Sequence, residues 1–293
     1  MEITLALGGG GAKGNAHIGV LRRLEQEGYH IRSIAGTSFG GIVGVLYALG
    51  NSPAEIQTLF EAVDQNKLYG RDAQDGPALL GLAGVRQWLD KVVGEKTFAD
   101  LRIPCAVTAV DVKSGCEVIL MEGSLKDAIL ATIALPGIFP AHRINDWELI
   151  DGSTLDPVPV SVARMLSPDL PIVAVILNNP MDRPLLPYIL PMPNGVPRKI
   201  AERITRTSFA QAYDTFMRAV DINSRAMARF RLELDAPDVV VRPLAHHLNL
   251  LDKVVIAEVA QLGEDALEKV LPQLKRAVSW QGRIQKKLFG IKR

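Results

Sequence analysis

Apolar positions alternate at the start of the chain. Ile3, Leu5 and Leu7 are spaced by two, and then glycine takes over in LGGGGAKG at 7–14. This predicts a strand running into a tight loop. From Ala12 to Glu27 the period changes: Ile18, Leu21 and Leu24 fall at helical spacing, and Gly28 stops the segment. Ile31–Ala35 reads as a second short strand. After Gly40, IVGVLYAL is apolar nearly all round, which predicts a buried helix ending at Gly50. Ser52-Pro53-Ala54-Glu55 then offers a serine cap, a proline at the first helical position and a glutamate three after the cap.

The alternation of strand and helix continues. Cys105–Val110 and Glu117–Met121 read as strands around Lys113-Ser114-Gly115, Ser124–Leu135 as a helix ending before Pro136, and Glu148–Ile150 as a short strand. Pro171–Leu177, PIVAVIL, is continuously apolar, as a central parallel strand should be. The pattern implies βαβ units and a mostly parallel sheet covered on both faces. Asn178–Pro197 breaks it with Pro180, Pro184, Pro187, Pro191, Pro193 and Pro197, so it predicts a long loop that could act as a lid. Beyond it, Arg198–Leu234 reads as one or two arginine-bearing helices, Asp238–Arg242 as a strand, and Asp252–Val278 as a helix interrupted near Pro272. The expected organisation is a core over 1–197 and a mainly helical region over 198–293 packed on it.

Composition narrows the function classes. A net charge of +1 and 5% aromatic residues give neither the basic field nor the stacking platforms of a nucleic-acid binder. Cys105 and Cys116 fit no disulfide framework or zinc motif, and are read as two buried thiols. No apolar run reaches the ~18 residues of a spanning helix, and the first residues do not form a signal peptide. A cytoplasmic protein is the expectation, and its oligomeric state is not legible.

Two glycine clusters carry the chemistry. Gly9-x-Gly11-x-x-Gly14 between a strand and a helix matches a dinucleotide fingerprint. That fingerprint also wants an acid at the end of the second strand, where this chain has Gly36-Thr37-Ser38 instead. A P-loop fails too, since Lys13 is followed by Gly14. Gly36-Thr37-Ser38-Phe39-Gly40, between a strand and a helix, is the pattern of a nucleophile elbow. The turn strains the serine, and the glycines at 36 and 40 let two backbones pass. A serine attacking an ester creates an oxyanion, and the bare amides around Gly9, Gly10 and Gly11 are placed to receive it.

Serine needs a proton acceptor. His246 and His247 permit a Ser-Asp-His order. His17, His30 and His142 also exist, but none has a catalytic context. Asp151 follows the strand W-E-L-I and precedes Gly152, at the edge where open sheets place their sites. Asp111 and Asp156 lie near strand ends as well, and spacing alone leaves the three open.

Together, G-G-G-G-A-K-G, G-T-S-F-G, A-L-P-G-I-F-P and D-G-S resemble the patatin-like phospholipase family, particularly its small bacterial members, over about residues 3–180. The resemblance implies a three-layer α/β/α sandwich with a mostly parallel central sheet. It implies a Ser-Asp dyad without histidine: Ser38 as nucleophile, Asp151 as general base, and Gly9, Gly10 and Gly11 as the oxyanion loop, flanked by Gly36, Gly40 and Gly152. Leu135–Pro140 corresponds to a stretch that shapes the site. The implied reaction is acyl-ester hydrolysis of phospholipids, lysophospholipids or related esters through an acyl-enzyme, with no cofactor or metal. Lys13 is placed to attract a lipid phosphate. Ser153 and Asn15 depart from the family pattern, where a smaller residue is commoner.

The end of the chain is basic. Lys275, Arg276, Arg283, Lys286, Lys287, Lys292 and Arg293 interleave with Trp280, Ile284, Leu288, Phe289 and Ile291, with no acid. Such a segment suits an anionic membrane surface. A nucleotide-binding oxidoreductase and a catalytically silent lipid-binding protein are the rival readings.

Overall fold

The computed structural model describes residues 1–72, 75–190 and 207–279. An eight-stranded sheet forms its centre, in the order β5-β6-β3-β2-β1-β7-β8, with β4 paired to β3 off this path. The strands are β1 (Glu2–Leu7), β2 (His30–Thr37), β3 (Cys105–Asp111), β4 (Glu117–Leu120), β5 (His142–Ile144), β6 (Trp147–Asp151), β7 (Ile172–Val175) and β8 (Val239–Val241). β3, β2, β1, β7 and β8 run parallel; β4, β6 and β5 add antiparallel pairs at one side.

The period-two pattern decides what each face carries. Ile3, Leu5 and Leu7 of β1 join Ile34, Val107, Val173 and Val175 in the larger core. Helices α1 (Ala16–Gln26), α2 (Phe39–Ala48), α3 (Pro53–Glu61) and α8 (Ile256–Val278) close that face, through side chains such as Leu21, Leu46, Ile56 and Leu267. Each such side chain contributes ~1.5–3 kcal/mol when fully buried. The opposite face presents small residues. Ala106, Ala35, Ala6 and Ala174 lie in register across four strands. Over this flat strip pack α6 (Val160–Leu166) and α7 (Ser208–Asp235), with Val160, Val162 and Ala228 in contact. Two helical layers on a mostly parallel sheet make the three-layer α/β/α sandwich that the resemblance implied.

Local details follow the sequence with instructive exceptions. The Ser52 hydroxyl caps the Glu55 amide and the Glu55 carboxylate accepts from the Ser52 amide at 2.8 Å, as the capping signature requires. The segment after the glycine loop opens with a 3-10 turn over Gly11–Asn15 before α1 begins. Pro272 does not interrupt α8. An interior proline costs ~3 kcal/mol, but Leu267, Leu271, Leu274 and Val278 are buried on both sides of it and offset that cost. α7 is one continuous helix of 28 residues. Two helices were not anticipated: α4 (Ala83–Val92), which lacks a side-chain cap, and α6, which is seven residues long. α5 (Leu125–Thr132) packs on β3 and β6. Of the two thiols, Cys105 is buried, but Cys116 is exposed, because it sits past the tip of the β3–β4 turn. The basic tail from residue 280, the end of the proline-rich loop and the 197/198 boundary lie outside the described residues. Among the described residues no helix is long and apolar enough to cross a membrane.

Candidate active site

Strand β1 and strand β7 are neighbours, while β2 lies on the other side of β1. The strand order therefore reverses at β1, and open α/β sheets bind ligands at such a point, beyond the carboxyl ends of the strands. Both glycine clusters sit there. Gly8–Gly11 leaves β1 and rests against Leu177 just past β7, and Ser38 stands between the end of β2 and the start of α2.

Ser38 has φ 53° and ψ −125°, a left-handed backbone that a non-glycine residue adopts only under constraint. The constraint is packing. A Cβ on Gly36 would lie 2.6 Å from the carbonyl oxygen of Gly40, and one on Gly40 would overlap the carbonyl of Leu7. The Ser38 amide donates to the Thr132 hydroxyl at 2.8 Å, which donates in turn to the Thr108 carbonyl at 2.6 Å. Thr37, the preceding residue, shares a 2.7 Å bond with the Thr108 hydroxyl and donates to the Asp156 carbonyl at 2.9 Å. The elbow is thus held from both sides by buried threonines.

Asp151 ends β6 and is buried. The Ser38 hydroxyl donates to its Oδ2 at 2.6 Å, and the Ser153 amide donates to its Oδ1 at 2.8 Å. Burial pushes the carboxyl up to about 6, although the bonds from Ser38 and Ser153 pull the other way. Geometry separates the three aspartates that spacing left open. Asp111 turns its two oxygens onto the amides of Glu148 in β6 and Ser114 in the β3–β4 turn, and those bonds hold it well below the usual carboxylate range. Asp156 faces Arg231 at 3.8 Å, and burial raises it to about 8. Neither lines the cavity at Ser38. His246 and His247 are exposed and lie off that cavity too, while His30 and His142 sit at strand starts away from it.

The glycine loop divides its labour. The Gly8 amide donates to the Val175 carbonyl and the Gly9 amide to the Pro157 carbonyl at 3.0 Å, so both are already committed. The amides of Gly10 and Gly11 make no hydrogen bond among the described residues. Gly9 is needed for a different reason: a Cβ there would lie 3.1 Å from the Ser38 Cβ and overlap the Ser153 hydroxyl. Gly152 likewise lets the 152–154 turn lie against the Thr108 carbonyl, 2.5 Å from where a Cβ would stand. One residue that sequence reasoning set aside supports this loop. His17 is fully buried, and its Nε2–H donates to the Gly8 carbonyl at 2.8 Å; burial lowers its pKa to about 4 and keeps it neutral. The signal was present: a polar side chain on the face of α1 that buries Ala16, Ile18, Val20 and Leu21. The Ala12 amide at the start of the following turn is capped by the Leu250 carbonyl at 2.8 Å. A dinucleotide phosphate needs such amides free, which removes support from the oxidoreductase reading.

Ser38 and Asp151 open into a cavity of about 460 Å³. Its lining combines two chemistries. Phe39, Ile42, Phe60, Leu82, Val85 and Trp88 are among its apolar residues; Lys13, Asn178, Asp221, Asn223, Ser224 and Asp252 are among its polar ones. Lys13 is only 6% exposed, not a solvated lysine. Burial lowers its pKa, while Asp221 and Asp252 attract its charge and Arg225 repels it. Asn15 is buried beside it and lines the cavity, with Oδ1 unpartnered. Among the described residues no cluster of histidines, cysteines and carboxylates could hold a metal ion.

A strained serine on a sharp strand–helix turn is thus hydrogen-bonded to a buried carboxylate on a three-layer α/β/α sandwich. Residues 5–164 match the family model of the patatin-like phospholipases, and the chain belongs to that family. It is 37% identical over 180 residues to an uncharacterized NTE family protein, Rv1063c, of Mycobacterium tuberculosis, a match covering 60% of this chain and 49% of that protein. It is 28% identical over 177 residues to patatin-like phospholipase domain-containing protein 6 of Mus musculus, covering 56% of this chain and 13% of that protein. The chain thus spans half or less of the length of the curated relatives it matches. The solved structure of VipD from Legionella pneumophila superposes with a TM-score of 0.57 at 13% identity, over 92% of this chain and 66% of that one, which supports the fold alone.

Proposed function

We propose that the protein is a serine lipid acyl hydrolase that cleaves carboxylic esters of phospholipids, lysophospholipids or related acyl esters. The observation that carries this reading is the 2.6 Å hydrogen bond from the Ser38 hydroxyl to Asp151 Oδ2. The Ser38 oxygen attacks the ester carbonyl carbon as its proton passes to Asp151. Negative charge gathers on the former carbonyl oxygen, toward the free amides of Gly10 and Gly11 and the N-terminus of α2. Collapse breaks the ester bond, and the departing alkoxide takes the proton from Asp151. Water then attacks the acyl-enzyme and gives a proton to the same carboxylate; the Ser38–acyl bond breaks, the fatty acid leaves, and that proton returns to the Ser38 oxygen. A carboxyl raised to about 6 is better matched to this work near neutral pH than an ordinary aspartate.

The lining of the cavity supports a lipid substrate. An acyl chain favours the aromatic and aliphatic residues, and Lys13 offers a positive charge to a phosphodiester. The basic residues from Lys275 onward suit contact with an anionic membrane surface. Deleting residues 280–293 is expected to weaken binding to anionic vesicles while hydrolysis of soluble esters continues.

The reaction is tested with p-nitrophenyl esters and a panel of phospholipids and lysophospholipids, using wild type, Ser38→Ala and Asp151→Asn. Hydrolysis by wild type that falls by at least ~10³-fold in both variants supports the dyad. Tight lipid binding without any turnover would favour the silent-binder reading.

A further inference from the structure

The chain places α4 between α3 and β3, and Leu82, Val85 and Trp88, each three residues on, face the cavity from it. The wall is fixed. Arg86 pairs with Asp72 at 2.7 Å and also with Asp75. The amides of Leu79 and Leu80, just before α4, donate to the carbonyls of Gly137 and Ile138 at 3.1 and 2.8 Å. Leu89 is fully buried behind the helix. A ladder of rings connects this wall to the nucleophile. Phe39, the residue after Ser38, stacks on Phe60 at 5.1 Å, and Phe60 stacks on Trp88 at 5.3 Å.

We infer that Trp88 is the gauge of acyl-chain length: the aliphatic chain of an ester bound at Ser38 runs along the Phe39–Phe60–Trp88 ladder and is stopped by the indole. This rests on the hydrolase reading above. The ladder begins at the residue after the nucleophile, so it offers an acyl chain an apolar path that starts at the serine. Lys13, Asn178, Asp221 and Ser224 also line the cavity, and an alkyl chain laid on them would strip water from polar groups without replacing their hydrogen bonds. Along the ladder every methylene up to the indole is removed from water. The leaving group then lies toward Lys13, and specificity for the acyl part falls to α4, outside both glycine motifs.

The test is a series of straight-chain p-nitrophenyl esters of increasing length, kept below their aggregation concentrations. In wild type, kcat/KM rises about fourfold per methylene while the chain still finds apolar wall, then breaks. Trp88→Ala is expected to move the break longer by about two methylenes or more. Trp88→Phe, which keeps a ring on Phe60, moves it less. A break at the wild-type length in both variants, with Ser38-dependent hydrolysis intact, overturns the inference. If Trp88→Ala does not fold by circular dichroism, an unmoved break in Trp88→Phe overturns it alone. Hydrolysis that survives Ser38→Ala refutes the hydrolase reading instead, a result the chain-length profile does not mimic.

Discussion

Replacing Asp151 with asparagine separates the cost of the active site from its use. The wild-type carboxyl is buried, and its pKa is raised from 3.8 to about 6, chiefly by loss of hydration. A carboxyl that binds its proton more tightly in the fold than in the unfolded chain adds stability that is complete below about pH 4 and is lost as pH rises through 6. At pH 7 the ionised group therefore costs the fold about 3 kcal/mol, at ~1.36 kcal/mol per pKa unit. Asparagine keeps the shape and removes the charge. Its carbonyl can accept from the Ser153 amide while its NH₂ donates to the Ser38 oxygen, so neither partner is orphaned. Thermal unfolding should show Asp151→Asn more stable than wild type by several degrees at pH 7.5, with most of that difference gone at pH 4.5. The same titration governs activity with the opposite sign. Asp151 must be ionised to accept a proton, so wild-type kcat/KM should fall about tenfold per pH unit below pH 6, against a fall starting near 4 for an ordinary aspartate. A variant no more stable than wild type at pH 7.5, or activity flat down to pH 4.5, would refute the electrostatic argument.

Other expectations follow from the same network. Thr132→Val removes the acceptor of the Ser38 amide and the donor to the Thr108 carbonyl, leaving two buried groups unpaired; chemical denaturation should show a loss of ~1–3 kcal/mol for each. Gly10→Ala would bring a Cβ to 2.7 Å from Leu177, displacing a free amide. Its kcat should drop ~10²–10³-fold, and a folded variant that keeps wild-type kcat would argue against an oxyanion role. Asp156 is buried beside Arg231, with its pKa raised to about 8, so wild type loses its contribution as pH rises through 8. Asp156→Asn should therefore resist alkaline unfolding, read as a smaller fall in Tm between pH 6.5 and 9.

The legible part of this protein is local. Gly36, Ser38 and Gly40 announce a turn whose strain needs no tertiary information, and the capping residues of α3 act within one helical turn. The alternation of Ile3, Leu5 and Leu7 named a strand, and PIVAVIL named one buried on both sides. The supports of the site are not local. Thr37, Thr108 and Thr132 are separated by 71 and 24 residues in the bonds that hold the elbow, and a threonine in a strand or helix gives no sign that its hydroxyl will meet another. His17 looked like a helix residue, because its purpose depends on the Gly8 carbonyl turning toward it. α4 was missed because Gly84 and an uncapped start hide it; it is held by packing and by Arg86, which no window of sequence reveals. Asp151, Asp111 and Asp156 were equivalent in spacing; the D-G-S resemblance singled out Asp151, and strand pairing sets its carboxyl 2.6 Å from the Ser38 hydroxyl.

Everything in the catalytic account passes through a covalent bond at one oxygen. Incubation with a fluorophosphonate ester, followed by digestion and mass spectrometry, reads that bond directly. The account predicts a single adduct on the peptide containing Ser38, formed in wild type, absent in Ser38→Ala, and forming more slowly as pH falls below 6. An adduct on another residue, or a fully folded wild type that takes no label, would contradict it.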